Sequence, residues 1–179
     1  MSTRLEDSIQ EEEEISLVSK ARGEISFIQH NVGKRQEVQQ TLLEIGFRRK
    51  TDIILLQEPS TWKDRQKGYY FSIPHPAFNL ILPNNLAIHP RVAIYIRKTS
   101  SSILQYRNRE DICKDTDIIA LEIYSQLKRF LLFNIYNERQ LDKDSRTQRN
   151  SRTTISRAIL ELEIDLPFIL VGDYNLHHK

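Results

Sequence analysis

The sequence predicts an α/β domain. Two short, uninterrupted apolar runs, at 52–58 and 166–171, have the character of strands buried on both faces, which requires a sheet covered by helices. A helical pattern without internal proline lies between an alternating stretch at 24–31 and the first of these runs. The chain therefore opens strand, helix, strand, and such a unit puts two parallel strands in one sheet through a right-handed crossover. A length of 179 residues allows one ordinary domain or the front part of a larger one.

The elements follow in order. Residues 24–31 alternate apolar and polar, with Ile25, Phe27 and Gln29 on one side, until Gly33 breaks the strand. From 34 to 49, Val38, Leu42, Leu43, Ile45 and Phe47 keep helical spacing, and Gly46 closes the helix there or soon after. The strand at 52–58 stops at Pro59. Prolines 74, 76, 83 and 90, with Asn79, Asn84 and Asn85, mark 60–90 as loops and short strands. Strand signals return at 91–96, 101–106, 116–124 and 129–136, the last two joined as a hairpin through 125–128. A helix is predicted over 142–165, with Ile155, Ile159 and Leu162 on one face, Arg146, Arg149, Arg152 and Arg157 near the polar side, and Asp142 or Asp144 as its cap. The run at 166–171 closes the series, followed by Gly172-Asp173-Tyr174-Asn175.

Composition removes several classes. Eleven Gly and Pro residues in all exclude collagen-like and low-complexity chains. No apolar run exceeds five residues, far short of a bilayer span, and the acidic N-terminus lacks the apolar core of a secretory signal. One cysteine, Cys113, can build neither a disulfide framework nor a thiolate zinc site and suits a reducing compartment, nuclear or cytoplasmic. The net charge of +2 is uneven: residues 1–14 carry −5, and the remainder carries +7. Residues 1–23 are expected to form an acidic, disordered tail and 24–179 the folded domain. A basic body fits a polyanionic partner, although an ordinary solvated surface accounts for the charge equally simply.

Polar groups stand where strands end: Asn31, Glu58, Tyr136 with Asn137, and Asp173 with Asn175. In sheets covered by helices, ligands bind at such ends. Each has a plainer reading too. Gly-Asp-x-Asn is good turn chemistry, Glu58 can be the polar end of a strand, and Tyr136 can be half-buried core. Taken together, the carboxylates, amides and phenol suit phosphodiester hydrolysis. Glu58 offers hard oxygens to Mg²⁺, Asp173 can orient and deprotonate a water, Asn31 and Asn175 can hold phosphate or the acids, and Tyr136 can donate to a developing oxyanion.

The ordered motifs Gln29-His30-Asn31, Leu56-Gln57-Glu58-Pro59, Asn134-Ile135-Tyr136-Asn137 and Gly172-Asp173-Tyr174-Asn175 resemble the endonuclease/exonuclease/phosphatase superfamily. With His75-Pro76-Ala77-Phe78 and Leu176-His177-His178, they are most similar to the apurinic-type endonuclease domain of fungal non-LTR (LINE-type) retrotransposons, from about residue 24 onward. The resemblance implies a four-layer α/β sandwich of two mixed β-sheets flanked by helices. It implies Mg²⁺-dependent cleavage of DNA, with Mn²⁺ as a substitute ion, and the reverse transcriptase region of the same polyprotein as a further partner. By resemblance Glu58 is the main metal ligand and Asn31 shares the metal and phosphate site. Tyr136 contacts phosphate, Asp173 activates water, and Asn175 orients the phosphate. No membrane partner is expected.

Relatives carry further strands and a terminal acid–histidine pair after Gly-Asp-x-Asn, whereas this sequence stops at Lys179. A domain cut short at its C-terminus, with impaired catalysis and unpaired sheet edges able to self-associate, is the corresponding expectation. Two alternatives stand beside it: a catalytically dead nucleic-acid-binding remnant, in which Arg146, Arg149 and Arg152 contact phosphates, and a phosphoesterase acting on a lipid or inositol phosphate. The histidines at 177 and 178 read as polar surface.

Overall fold

In a computed structural model, the described residues are 23–113, 116–137, 151–162 and 164–174. The expected acidic tail, the caps Asp142 and Asp144, and Arg146, Arg149, Asn175, His177 and His178 lie outside them.

The strands are β1 (Phe27–Asn31), β2 (Ile53–Gln57), β3 (Thr61–Lys63), β4 (Tyr70–Ser72), β5 (Phe78–Ile81), β6 (Val92–Arg97), β7 (Ile103–Asn108), β8 (Ile118–Ser125), β9 (Arg129–Tyr136) and β10 (Phe168–Asp173). The helices are α1 (Gln36–Arg48) and α2 (Ser151–Glu161). One sheet has the order β1-β2-β6-β5, the second β10-β9-β8-β7, and β3 with β4 form a separate two-stranded ribbon. Both larger sheets are mixed. β1 runs parallel to β2 and β10 parallel to β9, and every other pairing is antiparallel.

The two sheets face each other across a core of Ile53, Leu55, Ile94 and Ile96 from one and Ile119, Leu121, Ile123 and Leu132 from the other. Outside the first sheet, α1 lays Leu43 against Ile54, Leu56 and Tyr95. Outside the second, α2 sets Ile155 against Ile118, Leu131 and Phe133. The result is the expected α/β/β/α sandwich, with a core apolar on both sides of each central strand. That is why β2 and β6 are buried along their whole length.

Helix α1 runs two residues beyond Gly46, which lies inside it. A Cβ at Gly46 would come within 2.4 Å of Ile54 Cδ1, so this glycine permits close packing of helix on sheet. The strand at 166–171 departs from its expected burial. β10 is the edge of its sheet, so Phe168 stays 50% and Ile169 39% exposed. Leu162 falls just past the end of α2 and is exposed, leaving Ile155 and Ile159 to face the sheet. Among the described residues, no helix is long and apolar enough to cross a membrane.

Candidate active site

Parallel pairing brings the site together. β1 and β2 run the same way, so Asn31 and Gln57 are register partners at their carboxyl ends, with Glu58 next in the chain. In the second sheet Tyr136 and Asp173 are register partners at the ends of β9 and β10. Packing of β10 against β1 and β2 sets these two pairs of ends side by side.

Asn31 joins them: its Nδ2 donates to Asp173 Oδ2 at 2.8 Å, while its Oδ1 accepts the Gly33 N–H at 2.9 Å. The bond across the sheets holds one oxygen of the Asp173 carboxylate against Asn31. Glu58 has left-handed backbone (φ 46°), as does Lys34 (φ 60°), and the two are bonded to each other through Lys34 N–H to Glu58 O at 2.7 Å. The Glu58 N–H donates to Arg91 O at 2.8 Å. Non-glycine residues held in this region are costly and cluster where function demands a particular geometry. The turn leaves the Glu58 side chain partly exposed, 3.9 Å from Lys34 Nζ.

Burial of the Tyr136 phenol, followed by the charge and hydrogen-bonding influence of the neighbouring Glu58 carboxylate, raises its pKa above the ordinary value, with Asp173 acting in the same direction. The phenol therefore keeps its proton at neutral pH and remains a donor. Its ring lies under the Arg91 guanidinium, 5.3 Å from centroid to Cζ, and Arg91 is held by two bonds to buried Asp117 at 2.9 and 2.7 Å. The Tyr136 N–H in turn donates to Asp117 O at 2.9 Å. His89 sits beside this group, bonded through Nε2 to Thr61 Oγ1 at 3.0 Å. Burial and the charges of Lys34 and Arg91 lower its pKa, so it is neutral at pH 7.

Below the site an amide chain crosses the sandwich. Gln29 donates to Gln57, Gln57 donates to Asn134 Oδ1 at 2.6 Å, and Asn134 Nδ2 donates to Leu56 O and Ala93 O at 3.0 and 2.9 Å. Gln57 and Asn134 are fully buried. They act as a clamp between sheets immediately behind Glu58 and Tyr136.

Of the sequence-predicted residues, the structure thus brings together Asn31, Glu58, Tyr136 and Asp173. Asn175, Arg146 and Arg149 are outside the described residues, and Arg152 lies in the first turn of α2. Sequence reasoning missed Lys34, His89, Arg91 and Asp117. Arg91 and Asp117 fall at the start of the strands expected at 91–96 and 116–124, a position that says nothing of a site, and the strands begin one residue after each of them.

Asp173 closes β10, and Gly172 lies within that strand, not in a turn. A Cβ there would come within 2.0 Å of Ile135 O, so only glycine lets β10 pass this close to β9. Among the described residues, no group of three or more His, Cys, Asp and Glu is placed to hold a metal ion. One or two carboxylates with amide oxygens, completed by water and substrate phosphate, is nonetheless a donor set of the Mg²⁺ type. Glu58, Asn31 and Asp173 fit that description.

The fold and the four strand ends agree with a direct family match. Residues 28–179 match the Endonuclease/Exonuclease/phosphatase family, and the chain belongs to it. No curated protein sequence matches the chain. Among solved structures, the fold is similar to the endonuclease domain of TRAS1, a telomere-specific non-LTR retrotransposon. That match has TM-score 0.59 and 14% identity, covering 87% of this chain and 61% of that one. It is also similar to AP endonuclease LMAP from Leishmania major (0.59, 13%, covering 85% and 55%). A third match is D. rerio TDP2 complexed with single-strand DNA product (0.52, 14%, covering 86% and 62%). The chain spans less than two thirds of the length of each.

Proposed function

We propose that this chain hydrolyses phosphodiester bonds in DNA with Mg²⁺, Mn²⁺ serving as a substitute, as a retrotransposon-type endonuclease. The observation that carries the reading is the Asn31–Asp173 hydrogen bond at 2.8 Å, which unites strand ends from two sheets beside the Glu58–Tyr136 pair. Glu58 and Asn31 would hold the cation, which supplies Lewis-acid stabilisation of charge on the phosphate. Asp173, oriented by Asn31, accepts the proton of the attacking water. Tyr136 donates to a non-bridging phosphate oxygen, and Arg91 above its ring adds positive charge where negative charge grows. Asn175 orients the phosphate, by the motif it shares with Asp173. The TRAS1 endonuclease domain and D. rerio TDP2 complexed with single-strand DNA product support DNA as the substrate.

The test is nicking of supercoiled plasmid by the purified chain with and without Mg²⁺. Glu58→Gln and Asp173→Asn are each expected to lower the rate about 10²-fold or more, while the melting temperature stays near that of the parent. Salt-dependent DNA binding with no nicking under any divalent ion would refute the nuclease reading and leave a binding module.

A further inference from the structure

The ribbon of β3 and β4 belongs to neither sheet, yet its base is tied firmly into the site. Buried Gln39 on α1 accepts the Ser60 N–H at 2.7 Å and donates to Ser72 Oγ at 2.9 Å, so one side chain grips both ends of the ribbon. Thr61 is bonded to His89, and the Tyr70 ring packs edge-on against the same imidazole, 5.1 Å between centroids. Thr61 is also only three residues past Glu58. A ribbon anchored this way projects from the rim of the catalytic group.

Its free end is cationic. Lys63, Arg65 and Lys67 are exposed, with Lys63 Nζ 5.4 Å from the Tyr70 ring centroid. The one carboxylate, Asp64, is engaged by the turn itself, accepting the Gln66 and Lys67 N–H groups at 2.8 and 2.9 Å, and those bonds lower its pKa. Gly68, at φ 72°, lets the chain turn back, and Gly68 N–H to Asp64 O and Asp64 N–H to Tyr69 O, both 2.9 Å, close the tip. The three cations are thus presented on an ordered frame. On the opposite face Trp62 is 49% exposed, paired across the strands with Phe71.

An antiparallel two-stranded ribbon has the width to enter a DNA groove, where cations at its tip and an indole on its other face can meet phosphate and sugar. We propose that the β3–β4 ribbon is an arm that grips the DNA backbone next to the bond being cut. Lys63, Arg65 and Lys67 sit on phosphates and Trp62 lies against the sugar and base surface. The proposal rests on DNA being the substrate. Charge complementarity names this occupant: three presented cations face a polyanion, and the base of the ribbon, through the Thr61–His89 bond, adjoins an imidazole that feels the charges of Lys34 and Arg91.

Two measurements on the whole chain test it, both in EDTA so that binding is read without cleavage. In fluorescence anisotropy with a labelled duplex of about 20 base pairs, the slope of log K against log salt is expected to fall by about 2–3 in the Lys63→Gln/Arg65→Gln/Lys67→Gln variant. Affinity at low salt should drop by roughly 10²-fold or more. Trp62 is the only tryptophan in the chain, so its emission reports on the ribbon in the unaltered protein. It should change with the same midpoint as the anisotropy. An unchanged salt slope in the variant, or a silent Trp62 while anisotropy rises, overturns the ribbon assignment and leaves the DNA reading standing. If the parent chain binds no duplex, both fall together, and Glu58-dependent hydrolysis of bis(p-nitrophenyl) phosphate then judges the phosphodiester chemistry separately.

Discussion

Asn134 shows what a single residue contributes. Its amide is wholly buried between the sheets, donates to two carbonyls of the opposite sheet and accepts from Gln57, the neighbour of Glu58. Truncating it leaves the Gln57 amide buried without that acceptor and opens a void between the sheets. Asn134→Ala is therefore expected to cost about 2–4 kcal/mol in urea unfolding and to slow hydrolysis beyond what the lost stability explains. A cost below about 0.5 kcal/mol, the scatter of surface substitutions, would show that the clamp is not structural. The grouping of Asn31, Glu58, Tyr136 and Asp173 was legible because each stands at a strand end. Asn134 was visible only as part of a motif, because a strand interior gives no sign that a side chain reaches the facing sheet. Arg91 and Asp117 were illegible for a related reason: their pairing depends on where β6 and β8 begin relative to each other, in two different sheets.

At the scale of the element, strong periods were read well and short or edge pieces were not. The 3.6-residue pattern located α1 through Val38, Leu42 and Leu43, which pack on the first sheet, whereas Ile45 and Phe47 of the same pattern are exposed and Gln39 and Gly46 complete the buried face. The parallel β1–β2 pair followed from its crossover. β3 and β4, three residues each, are too short to show a period, and only the prolines and asparagines of 60–90 marked their region. β10 misled for another reason, since an apolar run looks the same whether its strand is central or at an edge. Gly172 gives this strand its sharpest prediction. A methyl group there meets the Ile135 carbonyl and not a movable side chain, so β10 must shift away from β9 and carry Asp173 with it. Gly172→Ala is expected to destabilise the fold by about 1–3 kcal/mol and to lower hydrolysis about as much as removing the Asp173 carboxylate. Differential scanning calorimetry and plasmid nicking on one preparation check both parts. Full activity would mean that the close approach of β10 to β9 does not set the Asp173 position.

For the molecule as a whole, the division into two sheets could not be obtained from strand patterns, because a buried strand carries no mark of which sheet it joins. That feature came only with the family resemblance. The assembled sandwich then exposes something no single strand could show: β1 and β10, edges of different sheets, lie against one another on the same flank. Among the described residues neither has a strand on its outer side, and Phe27 (39% exposed), Phe168 and Ile169 stand along them. Edge strands that offer unpaired backbone groups next to apolar side chains recruit further strands, and proteins that avoid this place charge at such positions. The 179-residue chain is therefore expected to self-associate at concentrations of tens of micromolar, seen as a concentration-dependent rise in sedimentation coefficient. Phe27→Lys with Phe168→Lys puts a charge on each edge at the cost of the edge-on contact of Phe168 with buried Phe133, and it should return the protein to a monomer while leaving its helix and strand content unchanged. A parent chain that sediments as a monomer throughout would show that the twist of the two edges, or residues outside the described segments, already protect this flank.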